Sequence, residues 1–121
     1  MSVYPAGVKQ YFRNELTVAD GTVTAINHHC VVKSISAAPM SDFAKGHPHA
    51  TIIFDVFDGT SLVLRMSGSV GPNMNNTNMD ILIPADGIRI NDSLKIKCTA
   101  INQQSVSGSQ LMHSDISVLY Q

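Results

Sequence analysis

The sequence contains no tryptophan, and aromatic residues of all kinds make up only 6% of its 121 residues. Charged residues are also scarce, at 14%, against about 25% in a typical soluble domain. So few charges leave much neutral surface, and exposed apolar patches on monomers are limited in size. The composition therefore indicates one of two situations. Either a neighbouring subunit covers part of this neutral surface, or the surface consists of uncharged polar residues (Ser, Thr and Asn) in loops.

Basic residues are too few and too scattered for a nucleic-acid-binding module. The chain has eight Lys and Arg residues and a formal net charge of −1, and Lys95 and Lys97 form the only close pair. Nucleic-acid-binding domains normally carry a basic stripe. No apolar run approaches the ~18 residues that span a bilayer, and no charged segment followed by a hydrophobic one marks a secretory signal. We therefore expect no nucleic-acid or membrane partner, and synthesis in a cytoplasm without export.

Only two cysteines are present, Cys30 and Cys98, and each lies within a strand-like run. Neither belongs to a CxxC or a Cys/His spacing that would indicate metal binding. Free buried cysteines behave as small hydrophobic residues, and disulfides are rare in cytoplasmic proteins. We therefore expect two reduced, buried thiols.

One histidine pattern resembles a metal site. Cupin jelly rolls present two metal ligands from an HxH motif just before a strand, and His47 and His49 match that motif. Cupins then place a glutamate four or five residues after the second histidine, where this chain has Ile53 and Phe54, and no glutamate follows Glu15. Because the ligand set is incomplete, we predict no metal, no cofactor and no catalytic residue, and hence that the protein is not an enzyme.

The clearest structural signal is a hairpin over residues 51–66, TIIFDVFDGTSLVLRM. Two β-rich runs flank Asp58-Gly59, a pair favoured in two-residue type I′ turns because both central positions need positive φ. We predict that this turn joins residues 51–57 to 60–66. The alternation then predicts that one face carries Ile52, Phe54 and Val56, opposite Leu62, Leu64 and Met66.

Further strands are predicted around residues 22–26, 30–36, 80–84, 88–90, 93–101 and 110–120, the last two with Leu94, Ile96, Cys98, Ile116, Val118 and Tyr120 facing inward. Turn signals recur about every ten residues, and no segment has a helical period. Seven or eight short strands at this spacing are typical of an all-β fold, an antiparallel β-sandwich of jelly-roll or Ig-like type. The order of the strands does not follow from the sequence.

The first fifteen residues show neither strand alternation nor a helical stripe, so we predict an extended N-terminal arm at 1–15 and a single sandwich domain at 16–121. The arm carries Tyr4, Tyr11 and Phe12, which either close one end of the domain's own core or contact a neighbouring subunit. We take these three as candidate partner-binding residues. Asn75 and Asn76, in the Asn-rich loop 67–79, are the other candidates, because their amides either bind a sugar or simply solvate the loop.

Several stretches carry a resemblance to a known group of proteins. PADGIRI at 84–90, DSLKI at 92–96 and ISVLY at 116–120 follow one another, preceded by CVVKSISA and TIIFDVFDGTS. In this order, residues 30–121 resemble a group of small phage virion proteins. The resemblance implies a β-sandwich on the virion, as a capsid decoration (cement) protein, a head fibre or a tail component, and it implies no site residue.

We therefore expect a structural protein of a bacteriophage virion, assembled in the host cytoplasm. The leading interpretation is a homotrimeric capsid decoration protein that binds the major capsid protein or other virion proteins. The low charge and the predicted strand 80–84, which is apolar on both faces, favour an oligomer. The alternative is a receptor- or glycan-binding module of a phage fibre or tail, with the Asn-rich loop as its contact.

Overall fold

The computed structural model describes residues 7–41, 50–70, 79–80, 83–101 and 112–121. Nine β-strands and one 3₁₀ turn lie in this part of the chain. In chain order they are β1 Lys9–Thr17, the 3₁₀ turn Val18–Asp20, β2 Thr22–Ile26, β3 Cys30–Ser41, β4 Ala50–Asp58, β5 Ser61–Val70, β6 Met79–Asp80, β7 Ile88–Ile90, β8 Leu94–Ile101 and β9 Met112–Tyr120. No helix among the described residues is long and apolar enough to cross a membrane.

The strands form two antiparallel sheets that pack face to face. Sheet I has the order β1-β9-β3, and its far edge is shared by β6 and β7, which pair with different parts of β3. Sheet II has the order β2-β8-β4-β5. Each sheet is therefore four strand positions wide, and the prediction of an all-β sandwich of about eight strands is confirmed. Of the predicted strand 80–84, only Asp80 lies in a described strand, and residues 81–82 lie outside the described part.

The pairing is nested along the chain, which identifies the topology. β1 pairs with β9, β2 with β8, β3 with β6 and β7, and β4 with β5. The chain thus forms one long antiparallel hairpin, closed between β4 and β5, that folds over so that successive pairs lie in alternate sheets. This arrangement is a jelly roll, which decides between the two topologies that the sequence pattern left open.

The core lies between the facing rows of the two sheets. Its largest fully buried side chains include Phe54 and Ile96 of sheet II and Leu16, Ile35 and Ile116 of sheet I. Burying a side chain of this size contributes about 1.5–3 kcal/mol. Other residues of β8 and β9 that were predicted to face inward are also buried, namely Leu94, Cys98 and Val118. Tyr120 is half-buried and packs against the core.

Both cysteines are buried and unbridged, as predicted. Cys98 is 0% exposed and Cys30 is 4% exposed. Burial raises the pKa of the Cys98 thiol to about 12, with a smaller contribution from the negative charge of Asp20. Burial also raises the pKa of Cys30. Because the thiolate is the reactive form, these two residues act as inert parts of the core.

The predicted hairpin forms, but its turn lies one residue further along the chain. Asp58 pairs with Ser61, so Gly59 and Thr60 are the two central residues. Gly59 has a φ of 62°, whereas Thr60 is not among the residues with positive φ. A positive φ at the first central position alone is the pattern of a type II′ turn, so the predicted type I′ turn at Asp58-Gly59 is wrong.

A β-bulge in β5 corrects a second expectation for this hairpin. Val63 is the extra residue of the bulge, so it breaks the alternation between Leu62 and Leu64. Leu64 and Met66 pack against the core, as predicted. The prediction for Leu62 is wrong, because this residue pairs with Phe57 on the outer face and is 50% exposed.

Residues 9–15 belong to the domain's own sheet rather than to a separate arm. They lie in β1, an edge strand that pairs with β9 of sheet I. The predicted boundary between residues 15 and 16 therefore falls inside a strand. Residues 1–6 lie outside the described part of the chain.

A β-bulge explains why β1 showed no alternation in the sequence. Arg13 pairs with the buried Ile116, and the next paired residue is the buried Leu16, so Asn14 and Glu15 are the bulged positions. Glu15 has a φ of 55°, in the left-handed region that glycine normally occupies in such a bulge. The extra residue shifts the inward-facing positions by one, which hides the period of two.

Candidate functional site

The outer face of sheet II is the most distinctive surface of the described residues. Its side chains alternate with the core residues of β2, β4, β5 and β8, and they form three rows across the sheet. We call this set the sheet II face, and its rows are Leu62–Phe57–Lys95–Thr24, Arg65–Asp55–Lys97–Thr22 and Ser67–Ile53–Thr99.

A salt bridge lies at the centre of the sheet II face. The Arg65 guanidinium donates to both Asp55 carboxylate oxygens, with Nε 2.5 Å from Oδ1 and Nη2 3.1 Å from Oδ2. Asp55 is only 9% exposed although it points away from the core. The hydrogen bond to Asp55, and then the charge of that carboxylate, raise the pKa of Arg65 further. Two-point pairs of this kind are the stronger ion pairs in proteins, so Arg65 satisfies the one carboxylate of this face.

The remaining charges of the sheet II face are positive. Lys97 pairs in register with Asp55 from β8, and Lys95 lies two residues before it on the same face. Within the described residues, the salt bridge of Asp55 is made to Arg65. Three of the eight Lys and Arg residues, and one of the nine Asp and Glu residues, lie on this face. The sheet II face therefore carries +2, while the rest of the chain carries −3.

Apolar side chains surround these charges. Phe57 and Ile53 of β4 are half-buried on the sheet II face. Leu62 is 50% exposed and the neighbouring bulge residue Val63 is 38% exposed, and they are two of the three large hydrophobic residues most exposed in the described part. Exposed apolar side chains, an aromatic ring and an arginine on one sheet face are features in which protein–protein contacts are enriched, whereas lysine is not.

Two turns hold the end of sheet II in place. The Asp58 carboxylate accepts hydrogen bonds from the backbone N–H of Asn91 at 2.9 Å and of Asp92 at 2.8 Å. The N–H of Gly59 donates to the carbonyl oxygen of Ser93 at 2.8 Å. The hydrogen bonds from Asn91 and Asp92 lower the pKa of Asp58. The β4–β5 turn is thereby fastened to the β7–β8 turn, which keeps β4, β5 and β8 in register beneath the sheet II face.

The same end of the sandwich has two open clefts on either side of the β2–β3 turn. One, of about 430 Å³, is lined by Thr24 to His28 and Tyr120. The other, of about 340 Å³, includes His29 and Arg89. The His28 Nδ1–H donates to the carbonyl oxygen of His29 at 2.8 Å, and the two rings meet edge to face. No group of three or more metal-binding side chains occurs among the described residues, and His47 and His49 lie outside them.

Of the five residues predicted as a partner site, the structure describes Tyr11 and Phe12, and these two point in different directions. Tyr11 is half-buried against the core, whereas Phe12 lies on the outer face of sheet I and is 57% exposed. Tyr11 therefore packs on the domain's own core, and Phe12 is the one of these two described residues that is available to a neighbour. Tyr4, Asn75 and Asn76 lie outside the described part of the chain. Phe12 and the sheet II face point to opposite sides of the sandwich.

The sequence alone does not reveal the sheet II face, although it contains part of the signal. Alternation in SLKIKCTAI already places Lys95, Lys97 and Thr99 outward. What the sequence could not supply is that β8 lies beside β4, which brings Asp55 and Phe57 next to those lysines. Comparison with protein-family models and with curated proteins finds no match for this chain.

Proposed function

We propose that this chain is a structural protein of a bacteriophage virion that acts by binding rather than by catalysis. Its simplest role is that of a capsid decoration protein, which stabilises the head shell through contacts with the major capsid protein or other virion proteins. The observation that carries the proposal is the sheet II face, where exposed Leu62 lies beside Phe57 and Lys95 on a rigid sheet. Such a surface suits a lasting contact with another protein.

The jelly-roll topology is compatible with this role. Viral capsid domains and lectins both use this fold, as do cupins. A fold alone does not determine function, so the topology supports the class of binding and shell proteins without selecting one member. The resemblance of residues 30–121 to small phage virion proteins narrows that class.

The proposed oligomer is a homotrimer. A closed ring of identical chains is built from heterologous contacts, in which two different surfaces meet. Phe12, exposed on the edge strand β1, offers one such surface to a neighbouring copy and leaves the sheet II face free for the shell.

Co-sedimentation tests the proposed function. The purified full chain is mixed with expanded empty capsids of the phage that encodes it, and with host cells in a parallel sample. We expect saturable pelleting with capsids, and a trimer in analytical ultracentrifugation of the protein alone. Binding to host cells or their surface glycans, with none to capsids, would contradict the proposal and favour the receptor- or glycan-binding module of a fibre or tail.

A further inference from the structure

We propose that the sheet II face is the surface that binds the virion partner, and that this partner presents carboxylates beside apolar side chains. The inference rests on the proposed function and adds to it the docking surface and the chemistry of the partner. Three observations support it: the net charge of this face, the position of its apolar residues and the arrangement of its rows.

The charge distribution indicates an acidic partner. The face carries +2 on a chain whose net charge is −1. Asp55 is already held by Arg65 through two hydrogen bonds, so Lys95 and Lys97 are the cations left to attract a partner. Alternate residues of a strand are about 6.6 Å apart, a spacing that two carboxylates of a neighbouring protein can match.

The apolar residues indicate that the partner is a protein surface with apolar groups beside its acids. Lys95 shares a row with Phe57 and Leu62, so a carboxylate that reaches Lys95 brings its neighbours over these two side chains. Leu62 is 50% exposed at the edge of the sheet. A contact that covers it removes apolar area from water, and this adds to the electrostatic attraction.

A second copy of the same face is a poor occupant. In a two-fold contact each surface meets itself, so the lysines of one copy would face the lysines of the other. Like charges placed opposite each other are unfavourable. The face is therefore assigned to a different, acidic surface.

A charge-reversal experiment with a matched control tests this assignment. The double variant Lys95→Glu/Lys97→Glu reverses the two free cations of the sheet II face. The control, Lys9→Glu/Arg89→Glu, reverses two exposed cations on strands of sheet I and changes the net charge by the same amount. Because the four side chains lie outside the core, circular dichroism melts should show both variants folded.

We expect the apparent Kd for expanded capsids to rise about tenfold or more in the sheet II variant, and to change less than about threefold in the control. Equal weakening in both variants, or none in the sheet II variant, would overturn the inference while the proposed function stands. If the native chain itself fails to bind capsids, the proposed function is overturned instead.

A second pair of variants tests the same surface without changing its charge. This test also does not depend on whether the charge-reversal variant folds. Leu62→Ser removes an exposed apolar group from the sheet II face, and Phe12→Ser removes one from sheet I. We expect a several-fold rise in the capsid Kd for Leu62→Ser and a smaller one for Phe12→Ser. The opposite order would overturn the inference.

Discussion

The two sheets share one core but present different outer faces. On the outer face of sheet I, the two central rows carry no charge, and they are Gln10–Leu119–Ser34 and Phe12–Ser117–Ser36. The sheet II face has a salt bridge, two further lysines and several apolar side chains. Both faces satisfy the alternation that a half-buried strand requires. The jelly roll does not need charge on either side, so the grouping of Lys95 and Lys97 beside the Arg65–Asp55 pair is the feature from which we infer a docking surface.

Two of the bulged edge strands, β1 and β5, show a related difference. In β1 the bulge holds Glu15 at a φ of 55°, and the carboxylate of Asp115 accepts a hydrogen bond from its backbone N–H at 3.0 Å. In β5 the bulge at Val63 has no positive φ. A bulge interrupts the regular edge that would pair with another strand. Both edges are thus protected from pairing with another strand. Of the two bulges, the one in β1 contains a non-glycine residue with a strained backbone.

The largest difference is expected between the two sides of β4. Phe54 is 1% exposed, whereas Phe57 is half-buried on the sheet II face. Phe54→Ala should lower the free energy of unfolding by about 3–5 kcal/mol, because it leaves a cavity in the core. Phe57→Ala should cost only about 1 kcal/mol. Urea denaturation of both variants measures the difference, and equal losses would show that the sheet II face is part of a second core.

The next comparison is between the carboxylates of the two faces. Asp55→Asn removes the charge that pairs with Arg65 and leaves three cations on the sheet II face, so we expect a loss of about 1–2 kcal/mol. The control, Asp115→Asn on sheet I, keeps an oxygen that can accept from Glu15 and should cost less. Adding 1 M salt should reduce the Asp55→Asn loss, because salt screens repulsion among the cations. A loss independent of salt would contradict this explanation.

A smaller, stabilising effect is expected at the β1 bulge. Glu15→Gly should raise the free energy of unfolding by about 1 kcal/mol, because glycine adopts the left-handed conformation without the clash of a Cβ. The control is Asn14→Gly, at a neighbouring position of ordinary φ, which should be neutral or destabilising. Thermal melts give the comparison. If Glu15→Gly destabilises the protein, an interaction of the Glu15 side chain outweighs the backbone strain.

The smallest effect concerns the pH dependence of the hydrogen bonds by which Asp58 joins the β4–β5 turn to the β7–β8 turn. The folded state lowers the pKa of Asp58, so its stabilising contribution is present above the unfolded pKa of about 3.9 and is lost as pH falls through the folded value. The drop in Tm between pH 6 and pH 3 should therefore be smaller in Asp58→Asn than in the native chain. Asp86→Asn, in an exposed turn, serves as the control and should leave the drop unchanged. An unaltered drop in Asp58→Asn would show that protonation of Asp58 does not cause the loss of stability in acid.

Much of the architecture could be predicted from local patterns, because alternation directly reports which side chains face the core. The buried residues of β8 and β9 follow from such alternation. Errors arose where one extra residue enters a strand, at Glu15 in β1 and at Val63 in β5. A bulge depends on the register of the partner strand, and a single sequence does not contain that register.

The sheet II face was less accessible to prediction than the core. It requires knowing that β8 lies between β2 and β4, so that Lys97 and Asp55 become neighbours although they are far apart in the chain. The segment with the aromatic residues Tyr11 and Phe12 shows no strand alternation in the sequence. The bulge accounts for that, and Tyr11 belongs to the domain's own packing.

Lysine footprinting tests most directly whether the sheet II face is the docking surface. The full chain, free and bound to expanded capsids, is treated briefly with an amine-acylating reagent, and modification at each lysine is quantified by mass spectrometry. We expect Lys95 and Lys97 to be protected in the bound form, and Lys9, on sheet I, to react as in the free protein. Protection of Lys9 with unchanged reactivity of Lys95 and Lys97 would contradict the assignment.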